Sequence, residues 1–203
     1  MAYERHLIKN GYSYIAGVDE VGRGCIAGPV VAAAVVFLPE DVQTQDWIAQ
    51  VKDSKMLSPA QRDQLNQHIM ACARCVGIGM VDHHKIDDIN ILQASLQAMA
   101  SAVGQLDPQP DYCLIDGRQE APLSVKQETV IKGDQRFTSI AAASIVAKVY
   151  RDRWMIEQSH HYPEYGFEKH KGYGTPAHKQ AIVEYGFCEL HRRSFQVNLD
   201  RYR

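Results

Sequence analysis

"IAGVDEVGRG", residues 15–24, carries an apolar run into two adjacent carboxylates, Asp19 and Glu20, and then into a Gly22-Arg23-Gly24 turn. The run reads as a strand bounded by polar and glycine residues. Neighbours on a regular strand point to opposite faces, so Asp19 and Glu20 can serve one site only at a strand end or bulge. The glycines after them permit that, and they let backbone come close to a ligand. Arg23 between them suits a phosphate or a minor-groove contact. The stretch lacks G-x-x-x-x-G-K-[ST] and misses G-x-G-x-x-G by one residue at Gly28. The segment after it, "PVVAAAVVF" (29–37), reads as a second strand, apolar throughout and so covered on both faces, and not as the helix a phosphate-cradling loop requires.

Working outward, "CVGIGMVD" (75–82) reads as a third strand, and "LSPAQRDQLNQHIMACA" (57–73) as a helix that starts at Ser58 before Pro59. "DDINILQASLQAMASAVGQL" (87–106) has apolar residues every three to four positions and predicts one long amphipathic helix. "DYCLIDG" (111–117) is a strand ending in Asp116, and "ETVIKGD" (128–134) repeats that device with Asp134. "SIAAASIVAKVYRDRWMIEQSHHY" (139–162) predicts a helix, "GFEKHKGYGTP" (166–176) a loop, and "AHKQAIVEYG" (177–186) a short helix. The pattern is α/β: a central mixed sheet flanked by helices, in a single domain over 1–203, with a C-terminal helical extension from about residue 160.

Strand ends on one edge of such a sheet are where sites are built. If the ends at Asp19–Glu20, Asp116 and Asp134 converge, their carboxylates repel one another. They are then tolerable only with raised pKa values or bound cations. Oxygen ligands of this kind suit magnesium or manganese. Taken singly, "IDG" and "KGD" also read as ordinary solvated turns.

The bulk numbers exclude some classes. With 45% hydrophobic and 23% charged residues, the composition is that of a globular protein. No apolar run is long enough for a transmembrane helix and no signal-peptide h-region is visible, so the cytoplasm is the expected compartment. Five cysteines, an odd number, argue against a disulfide framework, and "CARC" (72–75) has no second pair to complete a zinc site. A net charge of −2 speaks against nucleic acid, yet from Lys148 onward there are ten Lys/Arg against seven Asp/Glu and five of the nine histidines.

At this point the residues resemble a known family. "GVDEVGRGCIAGPVVAAAV" (17–35) is similar to the signature of type 2 ribonuclease H, specifically bacterial ribonuclease HII. The likeness continues through "DSK" (53–55), "NILQASLQAM" (90–99), "LIDG" (114–117), "KGD" (132–134), "SIAAASIVAKVYRDRWM" (139–155), "KHKGYGTPAHKQAI" (169–182) and "HRRSF" (191–195), in family order. The resemblance implies a ribonuclease H-like fold and a magnesium- or manganese-dependent endoribonuclease. Such an enzyme cuts RNA in RNA–DNA hybrids and incises 5′ to single ribonucleotides in duplex DNA, as in ribonucleotide excision repair. It implies that Asp19, Glu20, Asp116 and Asp134 hold the metals. Gly22, Arg23 and Gly24 match the ribonucleotide-sensing loop, and Tyr173 the tyrosine at the DNA–RNA junction. Two-metal hydrolysis leaves a 3′-hydroxyl and a 5′-phosphate. Lys132, Ser144 and Lys148 are further candidate substrate contacts, and Lys169, Lys171, Arg192 and Arg193 candidate duplex contacts. A monomer is expected; no clamp-binding peptide is evident in "NLDRYR". Competing readings are a resolvase or ribonuclease HIII, a silent hybrid-binding protein, and a small-nucleotide binder.

Overall fold

The computed structural model describes residues 2–38, 47–51 and 57–202; "DSK" (53–55) lies outside them. In chain order the elements are α1 (Ala2–Lys9), β1 (Ile15–Val21), β2 (Val30–Val36), α2 (Ile48–Val51), α3 (Pro59–Cys72), β3 (Cys75–Val81) and α4 (His83–Gly104). They continue with β4 (Tyr112–Asp116), β5 (Lys126–Val130), α5 (Thr138–Ser159), α6 (Phe167–His170) and α7 (Pro176–Tyr185). The five strands form one sheet in the order β3-β2-β1-β4-β5. β1 pairs antiparallel with β2 and β2 with β3, whereas β1–β4 and β4–β5 are parallel, so the sheet is mixed.

The sequence of β2, VVAAAVV, is fully buried because both faces are covered. Val30, Ala32, Ala34 and Val36 pack with α4; Val31, Ala33 and Val35 pack with α2, α3 and α5. Small residues let those helices lie close. A Cβ on Gly77 or Gly79 of β3 would stand 2.0 Å from the carbonyl oxygen of Ala102 or Ala98 in α4. On the other face Ala141, Ala142, Ala143 and Ala147 of α5 are fully buried against the sheet. α3 begins with a complete capping box, Ser58 with Gln61, worth about 1 kcal/mol.

The expected helix over 87–106 differs in detail. α4 starts at His83 and is broken at Asn90, whose φ of 69° leaves the helical region. The Asn90 side chain accepts from the N–H groups of Leu92 and Gln93 and so caps a second helical stretch inside the first. Asp134 is not at a strand end: β5 stops at Val130, and Asp134 sits in a 3-10 turn, Gly133–Gln135, entered through a left-handed Lys132. The C-terminal extension is helical only through Tyr185, and the predicted loop 166–176 contains α6. The extension packs against the β1–β2 connection and the end of α5. Ile26, Ala27 and Met155 share a cluster with Tyr165, Phe167, Ile182 and Leu190. Among the described residues no helix is long and apolar enough to cross a membrane.

A histidine relay holds the extension together. The N–H of Cys188 donates to Nδ1 of His191 at 3.0 Å, and His191 and His178 share an Nε2–Nε2 hydrogen bond of 3.0 Å. Nδ1 of His178 lies 2.9 Å from the carbonyl oxygen of Tyr173. Each ring therefore carries one proton: His191 donates from Nε2 and His178 from Nδ1. Burial lowers both histidines from the usual 6.5 to about 4. A histidine with a folded pKa below its unfolded one contributes stability that is whole above pH 6.5 and is lost as pH falls toward 4. Urea midpoints are expected to fall across that window, and His191→Gln should flatten the fall; parallel curves for the two proteins would remove the relay as its cause.

Candidate active site

The site forms where β1 outruns β4. β1 pairs with β4 only from Ile15–Tyr112 to Val18–Ile115, but with β2 as far as Val21–Val31. Asp19 and Glu20 thus lie past the last β1–β4 pair, beside Asp116 at the end of β4. Gly17 stands opposite Leu114, so Asp19 and Asp116, two residues further on, share one face of the sheet. α5 covers that face. A Cβ on Gly17 would stand 2.2 Å from the Ser139 carbonyl carbon, so the first turn of α5 rests directly on β1.

Asp19, Glu20 and Asp116 line one cavity of about 470 Å³, together with Gly22, Arg23, Gly24, Arg62, Ser144, Lys148 and Tyr173. Burial pushes Asp19 well above the ordinary carboxylate range, and the charges of Glu20 and Asp116 add to it; hydrogen bonds from Ser144 and from the Glu20 N–H oppose it. Burial also raises Glu20, against the opposing Arg23 guanidinium, which meets its Oε1 at 3.2 Å. Glu20 Oε2 is buried and has no hydrogen-bond partner among the described residues. Asp116 Oδ1 accepts from the Gly133 N–H at 2.6 Å. That bond ties the Lys132–Asp134 turn to the cavity's edge.

Of the expected site residues, the structure brings together Asp19, Glu20, Asp116, Gly22, Arg23, Gly24, Ser144, Lys148 and Tyr173. Asp134 is buried next to Gly133 but does not line the cavity, and Lys132 is exposed outside it. Among the described residues no three His, Cys, Asp or Glu side chains stand at the spacing of a ready-made metal cage. The donor set still suits a hard cation: all-oxygen ligands, mutual repulsion, and a buried Glu20 oxygen without a proton donor. Lys148 donates to Asp152 at 2.7 Å, and its ammonium lies 5.6 Å from the centre of the Tyr173 ring.

One expectation is overturned. Arg192 is only 1% exposed and cannot be a surface contact to a duplex. Its guanidinium bonds the carbonyls of Arg23, Gly28 and Pro29. Sequence reasoning missed two further residues. Arg62 lines the cavity from α3, where nothing separates it from a solvated helix residue. Arg151, wholly buried, bonds the carbonyls of Pro29, Ala27 and Lys171. Its one visible signal was a charge inside an otherwise apolar helical stripe.

Comparison with known proteins agrees with this geometry. The sequence profile described as Ribonuclease HII matches residues 16–198. The ribonuclease HII of Geobacter metallireducens is 53% identical over 194 residues, covering 96% of this chain and 89% of that protein. That of Geobacillus thermodenitrificans is 51% identical over 195 residues, covering 96% and 73%. The crystal structure of the ribonuclease H2 from Pyrococcus horikoshii aligns with a TM-score of 0.78 at 27% identity, over 90% of this chain and 94% of that one. A profile match along nearly the whole chain, relatives more than half identical, and a shared fold establish that the chain belongs to the ribonuclease HII family, endoribonucleases that cut the RNA strand of RNA–DNA hybrids.

Proposed function

We propose that, beyond hybrid cleavage, this protein incises duplex DNA on the 5′ side of a single embedded ribonucleotide, by hydrolysis that leaves a 3′-hydroxyl and a 5′-phosphate. The observation that carries the reading is the buried, unpartnered Glu20 oxygen, set among repelling carboxylates and beside a glycine-lined turn in one cavity. Asp19, Glu20 and Asp116 would hold divalent cations, with Asp134 behind them on the turn that Asp116 anchors. Magnesium or manganese bound there supplies neutralisation of the scissile phosphate and a more nucleophilic water.

The chain's own residues do the rest. Ser144 lines the cavity beside Asp19 and favours its charged carboxylate. Arg23 keeps Glu20 in place with one nitrogen, and its side chain is 48% exposed, leaving the remaining donors for a backbone phosphate. The 2′-hydroxyl alone separates ribose from deoxyribose, and a glycine backbone can approach it where side chains cannot. Tyr173, 40% exposed at the cavity's far wall, is placed to stack on the neighbouring deoxyribose. Lys148 beneath its ring is a candidate phosphate contact. Lys132, exposed outside the cavity, is a candidate contact to the backbone of a longer duplex.

The test is cleavage of an end-labelled DNA duplex carrying one ribonucleotide, with magnesium, with manganese and with chelator, beside an all-DNA duplex and a long RNA–DNA hybrid. A metal-dependent cut 5′ to the ribonucleotide, with the all-DNA duplex intact, is the expected result. Cleavage of the hybrid alone would remove the single-ribonucleotide activity from this reading.

A further inference from the structure

Two guanidiniums lie wholly inside the protein, and neither meets a carboxylate among the described residues. Arg151 and Arg192 instead spend their donors on backbone carbonyls, and they share one of them, Pro29, at 2.8 and 3.1 Å. Two like charges around one acceptor are costly, since each is desolvated and neither is neutralised. Burial lowers Arg192 to about 10, which still leaves it charged at neutral pH. Such an arrangement persists where the geometry it enforces is needed.

That geometry is the path of residues 22–29. Arg192 takes the carbonyls of Arg23, Gly28 and Pro29, and its own N–H reaches the carbonyl of Ile26 at 3.0 Å. Arg151 adds the carbonyl of Ala27 and crowds Gly22, whose φ is +96° and whose Cβ, if present, would stand 2.3 Å from Arg151 Nε. In a planar trans peptide the C=O of one residue and the N–H of the next point in opposite directions. The Arg23 carbonyl is drawn inward to Arg192 Nη1 at 3.1 Å, so the N–H of Gly24 is turned outward. It has no acceptor among the described residues, and Gly24 is exposed and lines the cavity.

We infer that Arg192 is a positioning residue for substrate choice: by holding the Arg23 carbonyl it aims the Gly24 N–H at the sugar, and so sets the preference for ribose over deoxyribose. This rests on the reading of the Gly22–Gly24 turn as the ribose contact. Lysine at position 192 keeps a positive charge but cannot reach three carbonyls in a fixed fork.

The test is equilibrium binding by fluorescence anisotropy, in chelator so that nothing is cut. It uses two labelled duplexes identical except for one ribonucleotide. The wild type is expected to prefer the ribonucleotide duplex, and Arg192→Lys to lose about fivefold of that preference, the worth of one hydrogen bond, while its affinity for the all-DNA duplex stays the same. A merely structural arginine would weaken both duplexes alike, and that result, or an unchanged preference, overturns the assignment. A wild type without any preference would instead sink the ribose-contact reading, and the role of Arg192 with it. If Arg192→Lys does not fold, as judged by its thermal unfolding, the wild type labelled with 15N-glycine decides. The Gly24 amide, identified by its loss in Gly24→Ala, should shift with the ribonucleotide duplex and not with all-DNA; a Gly24 signal that responds equally to both refutes the inference.

Discussion

Asp116→Asn is expected to lower cleavage by about three orders of magnitude, or about 4 kcal/mol of transition-state stabilisation, while the protein remains folded. The amide keeps an oxygen to accept the Gly133 N–H, so the Lys132–Asp134 turn stays anchored. It removes a negative charge that raises both Asp19 and Glu20. In metal-free buffer the variant should therefore melt at a higher temperature than the wild type, because the remaining carboxylates repel less. The two readouts move in opposite directions, which a damaged fold cannot imitate. Wild-type cleavage by the variant would take Asp116 out of the cation site. A lower melting temperature would show that Asp116 is held mainly for structure.

Gly17→Ala is expected to cost more than about 3 kcal/mol of stability, at the upper end of what overpacking does. The added methyl would stand 2.2 Å from the carbonyl carbon of Ser139 and 2.3 Å from the Ile140 nitrogen. These are backbone atoms in the first turn of α5, so no side chain can swing aside. Relief requires lifting the N-terminal part of α5 off β1. That movement carries Ser144 away from Asp19, and residual folded protein should cut poorly. Urea denaturation measures the first effect. An unfolding free energy within 1 kcal/mol of wild type would mean that the contact between α5 and β1 is looser than described.

The parts of this molecule that could be read in the chain are those whose environment repeats. β2 was legible because seven apolar residues in succession, valines at both ends and Gly28-Pro29 just before, suit a strand covered on both faces. The start of α3 was legible because Ser58 before Pro59 is a local signal. Asp19 and Glu20 were legible from their own neighbours, Gly22 and Gly24. What stayed hidden is of two kinds, local backbone breaks that the apolar spacing masks and contacts between residues far apart in sequence. Asn90 looked like one polar position in an amphipathic repeat, and its side chain interrupts the helix by capping its own backbone. Asp134 was expected to close a strand, but Lys132 takes a left-handed turn that no spacing announces. Arg192 was assigned to the surface because a charge usually belongs in water. Its acceptors are carbonyls of residues 23–29, which no local pattern could pair with it.

That separation also places Arg192 late in synthesis. The bonds from Arg192 to the Gly22–Pro29 segment span 163 to 169 residues, whereas Asp116 and its turn are 17 apart and β1 and β2 are joined by a short connection. The chain is made from its N-terminus, and Asp19, Glu20, Asp116 and Asp134 all precede Arg192 by more than fifty residues. Under the proposed role of Arg192, every carboxylate of the site is therefore made before the residue that would set its choice of sugar.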